Sequence, residues 1–344
     1  MRISRILGLG AAAVLAVSLA ACAAPANSAD SGDDTNPASD AGFPVTIEHA
    51  FGETTIDDKP ERVASVAWAN HEVPLALGIV PVIFEKATWG DDDGDGLLPW
   101  VADELDELGV SDPNLYDPTD GIDFEAVSDS QPDVILAPYS GLTQEDYDTL
   151  SKIAPVVAYP EVAWGASYED MIELSSTALG LESEGDELIA SLDDAAIAAA
   201  EAHPAIEGKT AMFASFDPSD LSSIGFYTSD DTRPAFLERY GMPYPELVSD
   251  AGDEGDEFYS TVSAEQVESF QDVDVIVTYA EESLLPTLQA DALLSKIPAI
   301  AEGRVVFLGA TGVLATASNP SPLSIPGTVE QYFAAIDEAL ADAE

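Results

Sequence analysis

Eight side chains in this 344-residue chain are placed where they could act together on a ligand. Trp68, Lys86, Trp89, Tyr139, Ser140 and Trp164 follow short apolar, β-branched runs in the first half. Arg233 and Tyr279 hold similar places in the second half, with Phe216, Tyr227 and Thr311 beside them. In an open α/β sheet, residues just past the carboxyl ends of the strands face the ligand crevice. The set is aromatic, with Lys86 and Arg233 as its cations. Aromatic faces bury or stack on a large molecule at about 1 kcal/mol per contact, and a guanidinium gives bidentate hydrogen bonds to oxygen ligands. The chemistry on offer is capture of a large, weakly charged solute. Ordinary roles compete with it. A tryptophan after a strand can anchor a core, and Arg233, within Asp230-Asp231-Thr232-Arg233-Pro234, can pair with Asp230 or Asp231.

Catalytic patterns are missing from the sequence. It has no Gly-x-Ser-x-Gly elbow, His-Glu-x-x-His pair or phosphate loop, and the dinucleotide-like Gly8-Leu9-Gly10-Ala11-Ala12-Ala13 lies in an apolar leader. A nucleophile needs an adjacent base, and the three histidines, His49, His71 and His203, lie in unrelated contexts. The reading is no enzyme, no cofactor and no metal centre, with an exported hydrolase or a surface scaffold as the other classes. His71, beside the first strand, is either a ligand contact or a satisfied structural histidine. Gly90-Asp91-Asp92-Asp93-Gly94-Asp95-Gly96 resembles part of a calcium loop, but Ala102 fills the twelfth position, where a bidentate glutamate is needed. A solvated acidic turn is the simpler reading.

Alternating strands and helices must position these residues. Strands are expected at Arg62–Trp68, Val80–Phe84, Asp133–Ala137 and Val156–Tyr159, with helices at His71–Leu77 and Thr143–Ile153, the latter capped by Thr143. Ser167 to Ala202 carries a helical apolar stripe and no proline. A single helix there would reach about 50 Å, although Gly180 and Gly185 leave a break into two helices open. The pattern then restarts with strands at Thr210–Phe216, Val273–Tyr279 and Arg304–Leu308 and helices at Arg233–Tyr240, Leu284–Ile297 and Thr328–Ala341. A local pattern recurs in the two halves. Asp123-Phe124-Glu125-Ala126-Val127 precedes Gln131-Pro132-Asp133-Val134-Ile135, and Ser263-Ala264-Glu265-Gln266-Val267 precedes Asp272-Val273-Asp274-Val275-Ile276. Both read as a capped short helix feeding a buried strand through an aspartate, in two lobes of similar α/β construction.

The lone cysteine, Cys22, closes Leu19-Ala20-Ala21-Cys22 after Arg2, Arg5 and an uncharged run to Ala21. That is a positive segment, an apolar segment and small residues, as in a lipoprotein signal, with an ordinary secretory signal as the alternative. Having no second cysteine excludes an internal disulfide, so stability comes from core burial. Ala23 to Gly42 is rich in Ser, Asp, Gly and Pro and reads as a tether. The charge is extreme, with 65 acidic and 11 basic residues giving -54. Losing Arg2 and Arg5 with the signal would take it from -54 to -56. Such a charge disfavours nucleic acid and anionic lipid surfaces as partners, because phosphate recognition needs clustered Lys and Arg. One explanation for the excess is adaptation to a salty habitat, where ions screen the self-repulsion.

From about Val45 onward the chain resembles the class III (cluster A) solute-binding lipoproteins of bacterial ABC importers, in the ferric-siderophore branch of actinobacterial type. The resemblance is carried by Arg62-Val63-Ala64-Ser65-Val66, the Glu-x-Val-x-x-x-x-Pro-Asp-Val-Ile run at Glu125, the segment from Gly141 to Pro155, and Gly303-Arg304-Val305. It implies two Rossmann-like lobes joined by one long helix, with the ligand between them. The expected organisation is a signal at 1–21, a tether at 22–43, an N-terminal lobe at 44–165, a connecting helix at 166–204 and a C-terminal lobe at 205–344. It also implies capture of a ferric siderophore, with iron bound only as part of that ligand, and delivery to an importer by a monomer lipid-anchored through Cys22 to the outer face of the cell membrane. Glu125 and Glu265 match the glutamates that dock into the permease dimer, with Glu72 as runner-up in the first lobe. Aromatic walls with few cations favour a hydroxamate complex over a polyanionic catecholate. Cobalamin and haem are the alternatives of the same class.

Overall fold

The computed structural model describes residues 42–254 and 257–341, so Cys22, the leader and most of the tether lie outside the described residues. The first half runs β1 (Val45–His49), β2 (Gly52–Ile56), β3 (Val63–Ser65), α1 (Glu72–Ala76), β4 (Phe84–Glu85), α2 (Pro99–Glu107), β5 (Leu115–Tyr116) and α3 (Phe124–Asp129). It continues with β6 (Val134–Ala137), α4 (Gln144–Leu150), β7 (Val156–Ala158) and α5 (Tyr168–Leu179). After α6 (Glu182–Ala202), the second half runs β8 (Ala211–Asp217), β9 (Asp220–Tyr227), α7 (Thr232–Arg239), α8 (Glu246–Glu254), β10 (Tyr259–Ser263) and β11 (Val275–Thr278). It closes with α9 (Leu285–Ala290), α10 (Pro298–Ala301), β12 (Val305–Phe307), α11 (Val313–Ala317) and α12 (Ile325–Ala341).

Each half is built on parallel strands. In the first, β3, β6 and β7 pair in that order, and every residue of the three is buried, as expected for strands covered on both faces. In the second, β8, β11 and β12 are parallel, while β9 and β10 extend the sheet by antiparallel pairing. The recurrent junction performs the same task twice. Asp123 caps α3 and Ser263 caps the short helical turn Ala264–Phe270. Asp133 then accepts the Arg62 N–H at 2.8 Å where β3 begins, and Asp274 accepts the Thr210 N–H at 3.0 Å where β8 begins. A carboxylate beside each strand pair thus satisfies an amide that the ladder leaves unpaired.

The connector differs from a single helix over 166–204. α5 ends at Leu179, where Gly180 takes the left-handed conformation (φ 65°, ψ 39°) and the Leu181 N–H folds back onto the Ser176 carbonyl at 2.8 Å. A side chain at Gly180 would also stand 2.6 Å from the Phe43 ring. Glycine meets both demands, so the break belongs to the sequence. α6 alone, 21 residues and about 30 Å long, joins the lobes, and it packs against both α5 and α12. The expected helix Leu284–Ile297 is likewise interrupted, because the Asp291 carboxylate captures the N–H groups of Leu293 and Leu294 at 2.8 and 3.0 Å.

Candidate functional site

The first wall of the site is set by unusual backbone. Ala67 and Ala69, on either side of Trp68, adopt φ of 64° and 60°, and Trp164 adopts 63°. Left-handed geometry costs a non-glycine residue about 1 kcal/mol or more, so something must hold each turn. For Trp68 that is Asn70, fully buried, whose amide donates to the carbonyls of Val66 and Tyr139, both at 2.8 Å, and accepts the Tyr139 N–H at 2.9 Å. One side chain therefore fixes both the loop carrying Trp68 and the loop carrying Tyr139. Trp164 is tied to the latter through its N–H and the Ser140 carbonyl, at 2.9 Å. Its indole lies edge-on to Tyr139 with centroids 5.3 Å apart.

The second wall is built on charge. Arg233 lies in the first turn of α7, and its Nη1 donates to both Asp231 oxygens, at 3.0 and 2.8 Å. Its Nε donates to the Tyr279 hydroxyl at 2.7 Å, and its guanidinium lies 4.3 Å over the Tyr227 ring. Asp231 has no exposed surface. Burial pushes its carboxyl up from the ordinary range, against the pull of Arg233. Burial works against the charge on Arg233 too, but Asp231 and the tyrosines around it hold its pKa above the usual value. The wall is thus close to neutral overall. Tyr139 and Tyr227 stay protonated, pushed up to about 12 mainly by burial.

Trp89 joins the walls. Its ring is 5.7 Å from Trp68 and meets Tyr279 edge-on at 5.3 Å, while its Nε1–H donates to the Ala310 carbonyl at 2.7 Å. From the second lobe, the Asn319 amide donates to the Tyr139 hydroxyl at 3.1 Å. Trp68, Trp89, Tyr139, Trp164, Arg233 and Tyr279 are therefore brought together at the seam, with Tyr227.

Other residues take different places. Ser140 is fully buried and gives its hydroxyl to the Ala137 carbonyl at 2.7 Å, so it faces into its own lobe and not the seam. Lys86 is held by Asp117 at 2.5 Å, which consumes its charge. Phe216 packs into the core of the second half and Thr311 is exposed. His71 is buried and stacked on Phe84 at 4.5 Å, and burial lowers its pKa to about 3, as suits a neutral structural histidine. His49 is bonded to Thr54 at 2.9 Å, and His203 stands between Glu330 and Asp337 on α12. The three histidines are not brought together. In the acidic turn, ligand atoms of Asp91, Asp93 and Asp95 lie within 4.8 Å of one another, but the Asp91 carboxylate accepts the N–H groups of Gly94 and Gly96 at 2.7 and 2.8 Å and so stabilises the turn itself.

Glu125 and Glu265 are exposed in the first turns of their helical segments. Glu72 is not: it has no exposed surface, which removes it as a docking residue. Asn70, Asp231 and Asn319 are the site residues that sequence reasoning missed. Only Asp231 left a signal, as one of two acids offered to Arg233.

Comparison with known proteins gives a consistent result. The periplasmic binding protein family model matches residues 63–311. The crystal structure of PiaA from Streptococcus pneumoniae TIGR4 in complex with ferrichrome is 45% identical, with a TM-score of 0.83 over 87% of this chain and 100% of that one. A periplasmic solute binding protein from Mycobacterium smegmatis is 26% identical, with a TM-score of 0.68 over 86% of this chain and 99% of that one. Staphylococcus aureus SirA complexed with staphyloferrin B, at 20% identity and a TM-score of 0.66 over 85% and 98%, shares the fold. No curated protein sequence matches.

Proposed function

This chain belongs to the periplasmic binding protein family, and from that premise we propose that it captures a ferric siderophore of the hydroxamate type outside the cytoplasm and hands it to an ABC importer. The observation that carries the choice of ligand is the neutral, aromatic seam. Three tryptophans and three tyrosines line it, and Arg233 is balanced by the buried Asp231. A catecholate complex brings several negative charges and needs a cationic surplus. A hydroxamate complex is nearly neutral and presents an apolar perimeter with carbonyl oxygens. Stacking rings suit the perimeter, and the guanidinium and tyrosine hydroxyls suit the oxygens. PiaA, at 45% identity, carries ferrichrome, which is a complex of this kind. Trp68, Trp89, Tyr139, Trp164, Arg233 and Tyr279 are the proposed contacts.

In this reading the lobes cover 44–165 and 205–344, Cys22 carries the lipid that holds the monomer at the outer face of the cell membrane, and the exposed Glu125 and Glu265 meet basic residues of the permease dimer. The protein performs no reaction on its cargo. Titration with ferrichrome, a ferric catecholate, cobalamin and haem, read by tryptophan quenching, tests the ligand class. Tightest binding of ferrichrome is the expected outcome, and tighter binding of the catecholate overturns the choice.

A further inference from the structure

A buried acid beside the turn that carries Trp68 is also tied to the contacts of the second lobe by one short segment. Glu72, at the start of α1, is fully buried, and its Oε1 accepts the indole N–H of Trp100 at 2.8 Å. Its Oε2 accepts the backbone N–H of Leu323 at 3.0 Å, from the other end of the chain. Leu323 belongs to the strap Ser318-Asn319-Pro320-Ser321-Pro322-Leu323-Ser324, which runs between α11 and α12 without regular structure. Such a strap has few backbone bonds to hold its shape. Ser321 and Ser324 bond each other at 2.8 Å, and the Ser321 N–H reaches the Ser324 hydroxyl at 3.0 Å, while the N–H groups of Ser318 and Asn319 bond carbonyls of α11. Its first two residues reach the site. Ser318 Oγ is 3.2 Å from the Tyr279 hydroxyl that receives Arg233, and Asn319 donates to the Tyr139 hydroxyl.

We propose that Glu72 is a positioning residue for ligand binding: by holding Leu323 it fixes the strap, and the strap fixes the hydroxyls of Tyr139 and Tyr279 toward the ligand. Trp100 and Leu323 are both donors, and the Ser321 hydroxyl also bonds Glu72, so an acceptor at both ends of the side chain is required. Glutamine fits the space but turns an N–H toward one of the two donors. A buried leucine or methionine would satisfy the core better than an acid does, so the carboxylate at this position is a constraint on geometry. This inference rests on the ferric hydroxamate reading for its effect on affinity, but not for its effect on the strap.

The test uses Glu72→Gln, Trp100→Phe and a control, Val127→Ala, which trims a fully buried residue of α3 in another core cluster. Hydrogen exchange across 318–324 and the ferrichrome dissociation constant are measured well below each melting transition. Glu72→Gln should speed exchange in the strap and weaken ferrichrome binding by roughly fivefold to tenfold, the scale of losing one buried hydrogen bond. Trp100→Phe should move both readouts less, in the same direction, and Val127→Ala should lower the melting temperature without moving either. Unchanged strap exchange in Glu72→Gln overturns the proposal, as does an equal change in Val127→Ala. Faster strap exchange in Glu72→Gln with no ferrichrome binding by the unmutated protein supports the positioning role and refutes the ligand reading instead.

Discussion

The two lobes each bury an acid near the seam, and they satisfy it in opposite ways. Asp231 in the second lobe is met by a guanidinium, at 2.8 Å, and the pair presents a neutral hydrogen-bonding surface. Glu72 in the first lobe is met by neutral donors, the indole of Trp100 and the amide of Leu323. The walls differ in the same sense. The second orients by charge, from a helix start and a strand end with ordinary backbone. The first shapes by ring placement, from turns held in left-handed geometry at Ala67, Ala69 and Trp164. Recognition of a bulky, nearly neutral ligand needs both, since rings alone do not choose an orientation and hydrogen bonds alone do not exclude water.

The sharpest break in this comparison is made at Asp231. Removing one partner of a buried ion pair leaves the other uncompensated, at about 3–5 kcal/mol. Asp231→Asn should therefore destabilise the fold on that scale, weaken ferrichrome binding and leave the site with a positive charge. Its preference should swing toward anionic ferric complexes. Paired titrations of the variant with ferrichrome and a ferric catecholate check this, and an unchanged preference would end the argument from neutrality.

The next effect belongs to the other acid. Burial raises the Glu72 carboxyl to about 7 from 4.5, and no cation offsets this among the causes of its shift. The folded protein thus holds a proton that the unfolded chain releases. Stability from this group is fully present below pH 4.5 and is lost as pH rises through about 7, a change of about 3 kcal/mol. Repulsion within a chain of charge -54 also grows with pH, but salt screens it at the surface and not in the interior. Glu85, also raised to about 7, adds to this loss, and His71, lowered to about 3, opposes it because the unfolded chain takes up its proton below pH 6.5. The share of Glu72 is therefore read as the difference between parent and variant in denaturant unfolding in concentrated salt. Glu72→Gln should gain stability relative to the parent as pH rises from 4.5 to 7, and a difference between the two that does not change with pH would show that Glu72 does not titrate there.

Ring placement on the first wall is worth less per residue. Trp164→Ala removes one face and its contact with Tyr139, and stacking contacts of about 1–1.5 kcal/mol predict a roughly tenfold weaker ferrichrome complex. Gly141→Ala sharpens the same point without touching the ring, because its new methyl would stand 2.2 Å from Trp164 Nε1 and push the indole aside. Equal affinity in both variants and the parent would place Trp164 outside the ligand's reach.

Much of this construction is legible in the chain, for local reasons. Thr143, the expected cap, forms a capping box with Asp146, because a hydroxyl and a carboxylate three residues apart satisfy each other's amides. The repeated aspartate before a buried strand marks both lobes, since the need for an acceptor at a strand start is local too. The antiparallel hairpin β1–β2 and the β9–β10 extension left weaker signs, as their exposed faces mix polar residues with few turn signals. What was illegible depends on contacts far apart in sequence. A glutamate opening a helix reads as solvated, and Glu72 is instead met by the Trp100 indole and by a strap 251 residues later. Left-handed alanines carry no mark in the sequence, since Asn70 and Tyr139, 69 residues apart, hold them in place. Ser140 looked like a cleft residue by its place after β6, yet a chain reversal turns its hydroxyl inward.

The smallest expected effect lies where the two walls meet. Trp89 donates a hydrogen bond across the seam, from Nε1 to the Ala310 carbonyl at 2.7 Å, where Tyr139 accepts one from Asn319. Trp89→Phe keeps a ring against Trp68 and Tyr279 and removes that donor. A single neutral hydrogen bond contributes about 1 kcal/mol, or roughly fivefold in a rate. The bond forms only when the lobes are together, so its loss should quicken release of ferrichrome and leave capture unchanged, because the encounter precedes closure. Stopped-flow quenching separates the two rates. A slower capture with unchanged release would mean that Trp89 greets the ligand on the open wall instead of fastening the lobes behind it.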